Sequence, residues 1–282
     1  MKDSNANEIR PEVLTYDDIR GMVPFFDGRR GLVEGLMHLL KIDEVNAVHS
    51  RWCSTPGVAF AHALVHDEFK FKLRVDNIET LAGFKEGPFI TVSNHPFGSY
   101  DGFTLVDIVG TFRPDFKVMV NLVLNQIRAL RPVFIAVDPM KSDDPEKKKV
   151  TMQGIREAMR HVREGHPLGF FPAGAVSKLD RHLRLVDRPW QPSIIRLIQQ
   201  LAVPVIPIYF HPNSSWPFKI LGVVDWRLRT LDLPRELFKH RGAELHVSVG
   251  NPISVEQQKK YATIEDLGRY LRDETYALSL QK

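Results

Sequence analysis

Pro88-Phe89-Ile90-Thr91-Val92-Ser93-Asn94-His95-Pro96-Phe97-Gly98-Ser99-Tyr100-Asp101-Gly102 is the stretch that decides the fold. Its first half, Pro88-Phe89-Ile90-Thr91-Val92-Ser93, reads as a short strand buried on both faces. Pro96 and Gly98 then impose a turn. From Asp101 the residues DGFTLVDIVGTF resume at helical spacing. A strand, a tight turn and a helix in that order place His95 at the carboxyl edge of a sheet, where α/β proteins assemble their sites.

The same alternation extends in both directions. Upstream, FKFKLRV sets Phe69, Phe71, Leu73 and Val75 against Lys70, Lys72 and Arg74, the period of a strand with one wet face. Downstream, FKVMV, VFIAV, PLGFF, VPVIPIYF and ELHVSVG read as strands. They are interleaved with the helical stretches KKKVTMQGIREAMRHVREG, PSIIRLIQQLA and IEDLGRYLRDETYAL. Strands alternating with helices of this length predict an α/β fold, a mostly parallel sheet flanked by helices. Residues 16 to about 66 are helical in pattern and are divided by Pro24 and Pro56. We therefore expect an N-terminal helical segment over 1–66 and the main domain over 67–282.

His95 and Asp101 lie six apart, on different faces of any continuous helix, but the intervening turn can fold the carboxylate back onto one ring nitrogen. That contact would fix the tautomer and leave the other nitrogen as a general base. The residues alone also admit a plainer arrangement, a satisfied loop histidine beside a helix-capping aspartate. Ser93 and Ser99 leave a serine hydrolase open, although Gly98-Ser99-Tyr100-Asp101-Gly102 is not G-x-S-x-G. His62 and His66, at i and i+4, could share a metal, but further ligands are not evident nearby, and no metal is expected. There is no phosphate-cradling glycine loop.

Asn94-His95-Pro96-Phe97-Gly98-Ser99-Tyr100-Asp101-Gly102 resembles the signature of the glycerolipid and lysophospholipid acyltransferase superfamily, N-H-x-x-x-x-D after a strand. It carries one extra residue between His and Asp. That spacing resembles a bacterial subgroup reading N-H-P-x-G-x-x-D-G, whose members look like O-acyltransferases of aminolipids. Phe170-Phe171-Pro172-Ala173-Gly174-Ala175-Val176-Ser177 resembles the F-P-E-G-T-R-S block, with Ala173, Ala175 and Val176 replacing Glu, Thr and Arg. Val203-Pro204-Val205-Ile206-Pro207-Ile208-Tyr209 resembles a late V-P-V-x-P-V strand. Asp138 falls about where a second arginine is usual.

The resemblance covers roughly 75–250. It implies a glycerol-phosphate-acyltransferase-like fold, with His95 as the base and Asp101 as its orienter. It implies acyl transfer from a thioester of acyl carrier protein or coenzyme A to a lipid-borne hydroxyl. Asn94, Gly98, Phe171, Pro172, Gly174, Ser177, Lys178 and Arg181 are the expected substrate-binding positions, and no resident cofactor is implied. An acyltransferase acting on lysophosphatidate, or a lipid-binding relative without catalysis, remains an alternative.

The chain has 282 residues, 43% hydrophobic and 26% charged, with a net charge of +4 and one cysteine, Cys53. A lone cysteine excludes an internal disulfide and a cysteine-based zinc cluster. No run approaches the roughly 18–20 apolar residues of a bilayer span, and the start MKDSNANEIRPE is no secretory signal. The expected location is therefore the cytoplasm, peripheral on the inner face of the cytoplasmic membrane. Residues 1–76 hold ten Lys/Arg against twelve Asp/Glu, so the basic excess belongs to the remainder. Its clusters, at Lys178–Arg188 and Arg227–Arg241, suit an anionic lipid surface, as does the run Trp216–Leu221. No nucleic-acid motif accompanies them.

Overall fold

The computed structural model describes residues 9–138, 144–179, 185–212, 234–235 and 237–280. Its frame is a seven-stranded sheet. The strands are β1 (Lys72–Asp76), β2 (Ile90–Ser93), β3 (Lys117–Asn121), β4 (Phe134–Val137), β5 (Leu168–Phe170), β8 (Val205–Phe210) and β9 (Glu244–Val249). Two short strands, β6 (Lys178–Leu179) and β7 (Leu185–Val186), pair by themselves as a separate antiparallel ribbon. The main sheet has the order β1-β9-β8-β2-β5-β3-β4. Every neighbouring pair is parallel except β8 with β9. The mostly parallel sheet expected from the alternation is what the chain forms.

Helices cover both faces. The first four are α1 (Tyr16–Met22), α2 (Arg30–Leu39), α3 (Ile42–Trp52) and α4 (Val58–Ala63). After them come α5 (Glu79–Ala82), α6 (Ser99–Gly110), α7 (Pro145–Arg163) and α8 (Pro192–Leu201), and Ile264–Ala277 closes the fold. Strand alternation sorts the core into two layers. Ile90 and Val92 of β2 face a cluster with Ala158 and Val162 of α7, Ile195 and Ile198 of α8, and Leu267 and Leu271 of the closing helix. On the other face, Ile206 and Ile208 join Leu105 and Val109 of α6, and Phe60 and Ala61 of α4. Residues 100–110 of α6 are buried throughout. A helix buried around its whole circumference is a central element, and its polar residues Asp101, Thr104 and Asp107 are buried with it.

The strand predicted over FKFKLRV begins later, at Lys72. Lys70 adopts a left-handed φ of 51°, and this kink separates Phe69 and Phe71 from the ladder while leaving both rings buried. The wet face is present, with Lys72 and Arg74 exposed and Leu73 and Val75 half-buried. Pro207 is tolerated inside β8 because it lies where pairing with β9 starts. Its carbonyl still accepts the Gly250 N–H at 2.8 Å.

Candidate active site

β2 ends at Ser93, and the chain turns through residues 94–98 into α6. Gly98 makes that turn at φ +83°, a backbone conformation that costs glycine little. Asp101 then lies in the first turn of α6, fully buried. Its Oδ2 accepts three hydrogen bonds, from Nδ1 of His95 at 2.8 Å, the Phe97 N–H at 3.0 Å and the Gly98 N–H at 2.9 Å. The two arrangements that the residues left open are thus one: the carboxylate caps the helix and holds the histidine. With its proton on Nδ1, His95 has Nε2 as its acceptor nitrogen. The ring lies on Phe171 with centroids 4.4 Å apart, and its side chain is 17% exposed, enough to meet a substrate.

The second block packs directly onto this turn. Gly174 has φ +65°, which favours glycine, and a Cβ there would lie 2.0 Å from Nε2 of Gln191, so a larger residue would be strained and would displace that side chain. Pro172 is buried, and its carbonyl accepts the Gln191 N–H at 2.8 Å. The Ser177 N–H donates to the His95 carbonyl at 2.8 Å. Val176, in the place of the expected arginine, therefore adjoins the residue bonded to the His95 backbone. Asn94 spends its amide on the end of β8, donating to the Phe210 carbonyl at 2.8 Å and accepting its N–H at 2.7 Å. In the structure its visible work is to lock β2 to β8. The Lys178 backbone begins β6; its side chain and Arg181 lie outside the described residues.

Asp138 follows β4 at the sheet edge, three strands from β2. At about 4.8 Å per strand that is roughly 14 Å along the carboxyl edge. Ser93 is buried, and its hydroxyl makes no hydrogen bond among the described residues, so no Ser93–His95 pair forms.

Asp187 was missed in the sequence. It is buried, and its Oδ1 accepts the His95 N–H at 3.1 Å and the Ser177 hydroxyl. Its Oδ2 accepts from the Trp190 indole at 3.3 Å, and its own N–H donates to the Tyr276 hydroxyl at 3.1 Å. Burial, reinforced by the nearby Asp187 carboxylate, raises the Tyr276 pKa, so that phenol stays neutral. The Asp187 carboxylate thus ties the His95 loop to the second block, and its backbone N–H ties both to the closing helix. LVDRPW offers no period or motif that singles it out.

A base held by a buried carboxylate at the carboxyl edge of a parallel sheet suits removal of a proton from a hydroxyl. The chain belongs to the acyltransferase family: the family model described as Acyltransferase matches residues 32–281. It is 27% identical over 255 residues to a lyso-glycine lipid O-acyltransferase of Bacteroides thetaiotaomicron, covering 88% of this chain and 89% of that one. A second lyso-glycine lipid O-acyltransferase, from Phocaeicola vulgatus, is 25% identical over 257 residues, covering 88% of each chain. Among solved structures, the 1-acyl-sn-glycerophosphate acyltransferase of Thermotoga maritima superposes with a TM-score of 0.49 at 14% identity. That superposition covers 93% of this chain and 92% of the other. The protein is an acyltransferase.

Proposed function

We propose that the protein moves a fatty acyl group from an acyl thioester, of acyl carrier protein or coenzyme A, onto the free hydroxyl of a lyso amino-acid lipid, a lyso-glycine lipid first. The observation that carries this is the His95–Asp101 pair. Nε2 takes the acceptor hydroxyl's proton as its oxygen attacks the thioester carbonyl, and the carbon–sulfur bond then breaks. The imidazolium returns the proton to the departing thiolate, leaving an ester and a free thiol. Asp101 stabilises the imidazolium between the two steps. The substrate supplies the nucleophile, so no protein nucleophile and no cofactor is needed.

Val176 bears on the acceptor. An arginine there could clamp a phosphate in bidentate fashion, and valine cannot. The names of the two relatives agree with an aminolipid acceptor. With one acyl thioester and both acceptors present, transfer to lyso-glycine lipid is expected to outrun transfer to lysophosphatidate. Faster acylation of lysophosphatidate would reverse the assignment.

Among the described residues no helix is long and apolar enough to cross a membrane. Attachment is proposed to be peripheral, on an anionic surface. The run Trp216–Leu221 lies outside the described residues, but Phe25, Leu32 and Leu39 are 62%, 56% and 59% exposed. Leu32 and Leu39 are seven apart on α2, opposite the buried Val33 and Met37, so they form one outward apolar stripe. Arg29 stacks its guanidinium 4.0 Å from the Phe25 ring, so positive charge accompanies that exposed aromatic. The Leu32→Glu/Leu39→Glu pair is expected to weaken sedimentation with anionic vesicles by about tenfold or more. Raised salt is expected to weaken wild-type binding. Unchanged sedimentation of the double variant would remove α2 from the contact.

A further inference from the structure

His62 and His66, which the sequence offered without a third ligand, receive one from α6. Nδ1 of His62 lies 2.8 Å from Oδ1 of Asp107, and Nε2 of His66 lies 2.9 Å from Oδ2. All the ligand-type atoms are within 4.8 Å of one another. We propose that His62, His66 and Asp107 form a site for a divalent transition-metal ion of the Zn2+ class, on a side of α6 away from Asp101.

Charge is the first reason. The Asp107 side chain is only 4% exposed, yet among the described residues its ion-pair partners are these two histidines alone. A carboxylate buried without an arginine or lysine partner is a costly arrangement that a bound cation relieves. Two imidazoles and a carboxylate are the donor set that zinc and its neighbours favour. The His62 and His66 side chains, 59% and 39% exposed, give an entry path and leave the remaining coordination positions to solvent.

Geometry is the second. Ligands about 2.1 Å from a tetrahedral ion stand about 3.4 Å apart. The two nitrogen–oxygen pairs, each on its own carboxylate oxygen, therefore need to open by about half an ångström. The rings, tilted 37° with centroids 4.3 Å apart, meanwhile turn their nitrogens towards one point. Each neutral ring moves its proton to the outward nitrogen, so the ion replaces two hydrogen bonds without consuming a proton. His66 belongs to a π-helical turn, Leu64–Glu68, closed by the Phe69 N–H on the Leu64 carbonyl at 2.9 Å. Such widened turns recur at functional sites.

A second cluster, Asp76, His211 and His246, serves as the internal contrast. Its imidazoles stack nearly parallel, 9° apart at 3.8 Å, so their in-plane lone pairs cannot converge on one ion. His246 instead bonds Asp76, and His211 bonds the Ser248 hydroxyl at 2.8 Å, forming a hydrogen-bond network.

The test is titration calorimetry of the chelator-treated full chain with zinc chloride, alongside thermal unfolding. One equivalent is expected to bind. Affinity is expected to fall by about tenfold or more in His62→Gln and in His66→Gln, and to hold in His246→Gln. Zinc in hundredfold excess over its Kd is expected to raise the wild-type Tm by about 5 °C, and to leave the His62→Gln/His66→Gln pair unmoved. Both substitutions are on exposed side chains, and circular dichroism checks that the variants fold. Absence of zinc binding at micromolar concentrations would overturn the site, as would wild-type affinity in the double variant or loss confined to His246→Gln.

Discussion

His95→Ala is expected to reduce acyl transfer by about 10^3–10^4-fold or more while leaving the fold intact, since it removes the base and the ring that Asp101 holds. Asp101→Asn is expected to cost less, and the structure gives the reason. The Phe97 and Gly98 N–H groups both point at the oxygen that bonds His95. An asparagine must therefore turn its own carbonyl oxygen to that corner, where it still accepts from Nδ1. The tautomer survives; the charge facing the transient imidazolium is lost, and the new amide NH2 falls where Oδ1 of Asp101 is buried without a hydrogen-bond partner among the described residues. A loss of about 10^2–10^3-fold follows from a few kcal/mol of partly screened attraction. Single-turnover rates with a saturating thioester measure both. A folded His95→Ala protein with wild-type rates would end the assignment of His95 as base.

Asp187→Ala is expected to damage both stability and rate. It strips the acceptor from the His95 N–H, the Ser177 hydroxyl and the Trp190 indole at once. Buried donors left unpaired cost about 1–3 kcal/mol each before relaxation, so Tm is expected to fall by about 5–10 °C. Because Asp187 acts on the backbone that carries His95, kcat is expected to fall more than KM rises. Asp187→Asn keeps one oxygen for His95 and Ser177 and opposes only the long Trp190 contact, so most of kcat is expected to return. Loss of stability with kcat unchanged would reduce Asp187 to a purely structural tie.

Much of this was legible in the residues. The switch from an apolar run to a turn to a helix located β2 and α6, because strand burial and helical period are local properties. His95 and Asp101 were within reach because their turn carries Pro96 and Gly98. Asp187 was not, because its partners lie 92 residues upstream and 89 downstream. Asp107 was hidden for the same reason, 45 and 41 residues from the histidines that it meets. Asn94 shows the converse: it stands inside a motif, yet its amide is committed to the backbone of another strand.

The position of β9 carries a consequence for how the chain is made. Among the described residues β1 pairs only with β9, Lys72 opposite Glu244, so a strand emerging early waits 172 residues for its neighbour. At about 5–20 residues per second, synthesis leaves it without that neighbour for roughly 10–30 s. During that interval Leu73 and Val75 belong to an open edge able to recruit another nascent chain. The charges at Lys70, Lys72 and Arg74 guard against it, since repulsion between like-charged strands discourages edge-to-edge pairing. Neutralising those three positions is therefore expected to lower the soluble yield on expression while leaving the finished enzyme's turnover unchanged.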